Sequence, residues 1–263
     1  MASQADRVIA VLRAGHDDLT AKVAAFTADD LAKPSGASDW DVSQVLSHLG
    51  SGAEINLAIL ESGIAGSTPP DGDFNKGVWA KWDNATRQER ADWVVTANEA
   101  LVRRFEALDA EERESVRITY AWMPAPVDVA AAGTMRLNEF ALHAWDVAVA
   151  FETAATVDAA AASLLLGQAA HMFGWLAKPE QLDGKTATLA VEITDVPETF
   201  GLTLGPEIAL AAAPADPDGT LRLPAETWLR LVTGRLKPEF TPASVKLDGP
   251  LSLDDLRRVF PGF

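Results

Sequence analysis

The sequence predicts a chain of class α plus α+β, a helical bundle over residues 1–180 followed by a small α+β domain over 185–263. Three observations carry this. Apolar residues recur at helical spacing up to about residue 180. After Lys178-Pro179 the pattern changes to strand-like alternation. The length of 263 residues, 48% of them apolar, is enough to build two cores.

The first helix is expected over Asp6–Phe26, where Val8, Leu12, Leu19, Val23 and Phe26 fall near one stripe. A second starts at Asp41 and runs to Glu61, with Val42, Val45, Leu46 and Leu49 marking its buried face. A third covers Thr86–Leu108, a fourth Thr134–Phe151, and an alanine-rich fifth Asp158–Leu176. Helices of this kind suggest an antiparallel bundle. Two long connections, Ser62–Trp82 and Asp109–Gly133, read as loops. They carry the aromatics Trp79, Trp82, Tyr120 and Trp122, which suggests that they fold over something or plug a core. In the second part, Thr186–Ile193, Phe200–Leu204, Thr220–Leu223 and Val245–Leu247 read as strands. Pro224 opens a helix that Gly234 stops, and Ser252-Leu253-Asp254-Asp255 reads as a capping box for a last helix ending near Phe260.

The net charge of −16 and the pI near 4.6 argue against nucleic acid and anionic membrane as partners. With no cysteine, disulfides, thiolate metal ligands and a protein thiol nucleophile are all excluded. Any thiol chemistry then needs a thiol from a cosubstrate. The first residues lack a charged region followed by an apolar core, so a cytoplasmic location is the default expectation.

The residues that point to chemistry are His48, Glu139 and His143. Glu139 and His143 are four apart, which puts both on one helix face one turn apart. His48 borders the buried face of the second helix, and Gly52, one turn on, leaves room beside it. Glu139 shares a face with Met135 and Leu142, where a carboxylate is costly to bury without a partner. Two imidazoles and a carboxylate can hold a divalent metal and leave positions open for water or substrate. Asp146, three residues after His143, is read either as a carboxylate that orients the imidazole or as a surface or capping group. Arg136 reads as a solvated helix arginine, although it could pair with Glu139 or bind a substrate carboxylate. His16 is expected to be exposed, His171 to be a core or ligand-supporting residue, and Trp145 to be core.

Three stretches resemble the mycothiol-dependent maleylpyruvate isomerase family of actinobacteria: Asp39-Trp40-Asp41-Val42-Ser43-Gln44-Val45-Leu46-Ser47-His48-Leu49, Arg136 through Asp146, and Trp228 through Leu236. The resemblance implies a DinB-like four-helix bundle followed by a sterol-carrier-like α+β domain. It implies a divalent metal, zinc, on His48, Glu139 and His143, with mycothiol as cosubstrate and a small electrophilic substrate. It also implies an arginine of the second domain at the active site, for which Arg235 is the best match and Arg222 and Arg230 are rivals. The expected activity is cis–trans isomerisation or S-transfer. The competing readings are a metal or small-ligand binding protein without catalysis and a metal-dependent hydrolase. A non-haem iron oxygenase shares the ligand set but has no other support here.

Overall fold

The computed structural model describes residues 2–168, 173 and 176–262. The chain divides into two compact units, Met1–Glu152 and Thr153–Phe263.

Among the described residues of the first unit, seven helices follow one another. They are α1 (Gln4–Val23), α2 (Ala28–Leu31), α3 (Val42–Ala65), α4 (Gly72–Asp83), α5 (Arg87–Glu106), α6 (Ala110–Ser115) and α7 (Val129–Ala148). The four long helices α1, α3, α5 and α7 make the core: α3 packs on α5 and α7, and α1 on α7 and α5. Each start is fixed locally. Ser3 with Asp6, Asp41 with Gln44, and Thr86 with Glu89 form capping boxes that satisfy otherwise orphaned N–H groups. Helix α3 ends at Gly66, which takes the left-handed conformation that glycine tolerates best. Val42, Val45, Leu46 and Leu49 are fully buried. Each such side chain contributes about 1.5–3 kcal/mol relative to exposure.

Two connections depart from the loop reading. Ser62–Trp82 contains most of α4. Asp71 starts that helix by accepting the Asp73 and Phe74 N–H groups at 3.0 and 2.9 Å. Val78 and Trp82, four apart, anchor its buried face. Trp82 lies so close to α3 that a Cβ on Gly50 would sit 2.0 Å from its ring. The segment 109–133 contains α6, a two-residue bridge between Ile118 and Val127, and the first turn of α7, which begins at Val129 rather than Thr134.

The second unit begins with α8 (Ala159–Leu165) and a 3₁₀ turn at Leu166–Gln168. The rest of the expected fifth helix, His171 included, falls largely outside the described residues. A five-stranded sheet follows, built from β1 (Ala187–Ile193), β2 (Thr199–Leu204), β3 (Ala209–Ala212), β4 (Gly219–Leu223) and β5 (Lys246–Asp248) in the order β3-β2-β1-β4-β5. Strands β1 and β4 are parallel and the other neighbours antiparallel. Ala187, Leu189, Val191 and Ile193 alternate into the core. Helix α9 (Ala225–Val232) packs against α8 and buries Trp228 beside Phe173 and Phe200. Helix α10 (Leu253–Val259) closes the unit.

Candidate functional site

The phase of α3 decides where His48 points. Asp41 caps the helix, and Val45 and Leu49 on either side of His48 are fully buried, so the imidazole sits at the edge of that face. On α7, Asp128 accepts the Ala131 N–H at 2.7 Å and starts the helix that carries Glu139 and His143. The three side chains converge. His48 Nε2 lies 3.2 Å from Glu139 Oε2, His143 Nε2 lies 3.8 Å from the same oxygen, and the imidazole centroids are 4.6 Å apart. One potential donor atom from each residue falls within 4.8 Å of the others.

His143 is oriented from behind. Its Nδ1 lies 2.8 Å from Asp146 Oδ2, and the Asp146 side chain is fully buried. A carboxylate there accepts the Nδ1–H and leaves the Nε2 lone pair facing Glu139 and His48. Asp146 thus has the orienting contact, not the surface position. The loop before α3 rests on the same residue: Gly36 donates its N–H to the Asp146 carbonyl at 2.7 Å. A Cβ at Gly36 would lie 2.9 Å from Asp146 Oδ1 and 2.8 Å from a Val149 methyl. This loop delivers Trp40 against both imidazoles, with ring centroids 5.3 Å from His48 and 6.1 Å from His143. The sequence contained Trp40 within a family motif, but nothing in its spacing placed it over the histidines.

Glu139 is not a buried carboxylate. Its side chain is 52% exposed at the lip of the site, not buried on the apolar face that the helix pattern predicts. Desolvation works to raise its pKa. The hydrogen bond with His48, the electrostatic influence of His143 and His48, and the Arg136 charge outweigh that and hold the carboxyl below its ordinary value.

Beside the triad, Glu139 forms part of the wall of a cavity of about 350 Å³. Asn56, Tyr120 and Arg136 also line it, and Trp79 and Trp122 stand exposed at its edge. The four aromatics therefore divide: Trp82 is core, Tyr120 is buried, and only Trp79 and Trp122 face solvent. Burial pushes the Tyr120 hydroxyl up to about 12, so it stays protonated and donates to Asn56 Oδ1 at 3.2 Å.

Arg136 and His16 overturn their sequence readings. Arg136 is 3% exposed rather than solvated, because Gly52 on α3 leaves the space its guanidinium fills. His16 is buried rather than exposed, with Nε2 3.0 Å from Glu99. Trp145 is core, as its spacing indicated. In the second unit the three candidate arginines differ. Arg230 is buried against Glu226, with Nε and Nη2 donating to the two carboxylate oxygens at 2.7 and 2.8 Å. Arg222 is paired with Glu192, its neighbour across β1 and β4. Arg235 is half-buried after Gly234 and donates to the Thr233 carbonyl at 3.3 Å.

Fold and site together define a helical bundle with a His–Glu–His donor set, continued in the same chain by a small mixed-sheet unit. A family model described as the mycothiol maleylpyruvate isomerase N-terminal domain matches residues 12–148, and the chain belongs to that family. A second model, the SCP-2 sterol transfer family, matches residues 175–253. No curated protein matches the sequence. Among solved structures, the mycothiol-dependent maleylpyruvate isomerase is similar over 96% of this chain and 98% of its own, with a TM-score of 0.67 at 13% identity. A histidine-to-alanine variant of that enzyme gives 0.66 at 12% over the same shares. At this identity the likeness is one of fold. Among the described residues, no helix is long and apolar enough to cross a membrane.

Proposed function

We infer that this chain is a metal- and mycothiol-dependent isomerase of the maleylpyruvate isomerase type, with His48, Glu139 and His143 as the metal ligands. The single observation that carries the reading is the convergence of those three donors, with His143 held by Asp146, in a chain of this family. The donor set fits a borderline divalent ion such as zinc: two imidazole nitrogens, one carboxylate and no thiolate. Bound there, the ion would supply positive charge that lowers the pKa of a thiol beside it.

The chain's own residues do the rest. Asp146 keeps the His143 Nε2 available, and Trp40 covers the imidazoles on one side. Arg235 is retained as the second unit's candidate for binding an anion of substrate or thiol. The reaction class is reversible addition of a thiol to an activated cis double bond. Addition leaves a single bond free to rotate, and elimination returns the thiol and the trans alkene. If the thiol stays attached, the outcome is S-transfer.

The test is turnover of maleylpyruvate by protein of measured metal content, with and without mycothiol. Thiol-dependent turnover that disappears in His48→Ala and His143→Ala, both still folded by circular dichroism, is the expected result. Product formation in water alone would favour a hydrolase, and bound metal with no turnover would favour a binding protein.

A further inference from the structure

The geometry points to a carboxylate-binding subsite inside the first unit, built on Arg136, which lines the same cavity as Glu139. A buried guanidinium normally has a carboxylate partner, because an isolated charge is costly to desolvate. Arg136 is 3% exposed and has none among the described residues. Its Nη2 donates to the Leu49 carbonyl and to Asn98 Oδ1, each at 2.9 Å, and both acceptors are neutral. Its Nε is buried without a partner among the described residues. Nη1 occupies the space beside Gly52, where a Cβ would come within 3.1 Å.

The group nevertheless remains charged. Burial pushes its pKa down only to about 10, so it is a cation at neutral pH. Among the described residues, the one carboxylate whose charge favours it is Glu139, a turn further along α7, and no hydrogen bond joins the two. If Glu139 serves a metal ion, its charge is matched elsewhere and Arg136 is left as a buried cation facing a cavity of about 350 Å³. That volume suits a small molecule. Asn56 and the Tyr120 hydroxyl add polar groups on the wall, while Trp79 and Trp122 flank the mouth. A short unsaturated acid with its carboxylate on Arg136 would lie in the cavity whose wall includes Glu139 of the triad. That purpose rests on the isomerase reading, but the anion site itself does not.

Maleate is the probe, titrated into the metal-loaded full chain and followed by tryptophan fluorescence and calorimetry. Wild type is expected to bind it saturably. Arg136→Gln should weaken binding at least about tenfold, the loss expected for a charged hydrogen-bonding partner, and Arg136→Lys by less. Metal content and circular dichroism should stay unchanged. Absence of binding to wild type, or unchanged affinity in a folded Arg136→Gln protein, would overturn the subsite. Should Arg136→Gln fail to fold, Glu139→Gln decides, since that side chain is half exposed. In metal-free protein it should tighten maleate binding about threefold to tenfold by removing the competing anion. Unchanged or weaker binding there would refute the proposal. Maleate binding without any thiol-dependent turnover would sink the isomerase reading and leave the subsite standing. Normal turnover with an unaltered KM and unchanged maleate affinity in Arg136→Gln would do the reverse.

Discussion

Asp146→Asn is the most discriminating single change at the site. The substitution keeps the shape of the side chain and an oxygen able to accept the His143 Nδ1–H, but it removes the charge. The wild-type contact is 2.8 Å long, its carboxylate is fully buried, and water cannot replace it. A hydrogen bond to a charged group is worth about 1.5–3 kcal/mol. Loss of a carboxylate supporting a ligand histidine typically lowers metal affinity about 10–100-fold, or about 1.4–2.7 kcal/mol. The two ranges overlap, so zinc affinity is expected to fall by that factor while the helices persist. Competition against a chromophoric chelator measures the affinity, and far-UV circular dichroism checks the fold. Zinc bound as tightly by Asp146→Asn as by wild type would show that the carboxylate does not tune the imidazole, and the ligand assignment of His143 would lose its main support.

Four further outcomes follow from individual contacts. Burial lowers the pKa of His16 against the opposing pull of Glu99, so its stabilising contribution is complete above the unfolded value near 6.5 and is lost as pH falls through the folded value. Melting at about pH 7.5 and about pH 5.5 should therefore differ less in His16→Gln than in wild type. Gly50→Ala forces a methyl into the Trp82 ring and should cost at least about 1–3 kcal/mol in chemical denaturation, which a relaxed α3–α4 contact would fail to show. Arg230→Met leaves the buried Glu226 without its bidentate partner and should destabilise the chain by about 3–5 kcal/mol; a near-neutral melting curve would show that Arg230 is not needed for the fold and would favour a substrate-binding role for it. Arg235→Lys keeps the charge but loses the fork, and steady-state kinetics should show impaired thiol-dependent turnover with an unchanged melting point.

How far the sequence could be read depended on whether a signal was local. Helix α3 was legible because Asp41, Gln44 and the Val42, Val45, Leu46 and Leu49 stripe lie within nine residues and all agree. The spacing of Glu139 and His143 gave their shared face for the same reason, and it placed Asp146 within reach of the imidazole. Helix α4 was missed because Pro69-Pro70 and Gly72 signal a turn, while its helical evidence is one buried valine and one buried tryptophan. Strand β3 is four residues, three of them alanine, and mostly exposed, so no alternation marks it. Arg136 misled for a tertiary reason: the room for its guanidinium comes from Gly52 on another helix. Likewise, Trp40 reaches the histidines only because Gly36 lets its loop rest on Asp146.

The separation of the donors along the chain has a consequence for partly folded states. His48 and Glu139 stand 91 positions apart and meet only because α3 and α7 are packed together. A chain that kept its helices but lost their packing, as in an acid-induced compact state, would retain most of its far-UV signal while its donor atoms drifted apart. Under the proposed metal assignment, capture of a divalent ion would then report side-chain packing rather than helix content. A chelating dye that competes for it could follow the last stage of bundle assembly, which circular dichroism does not see.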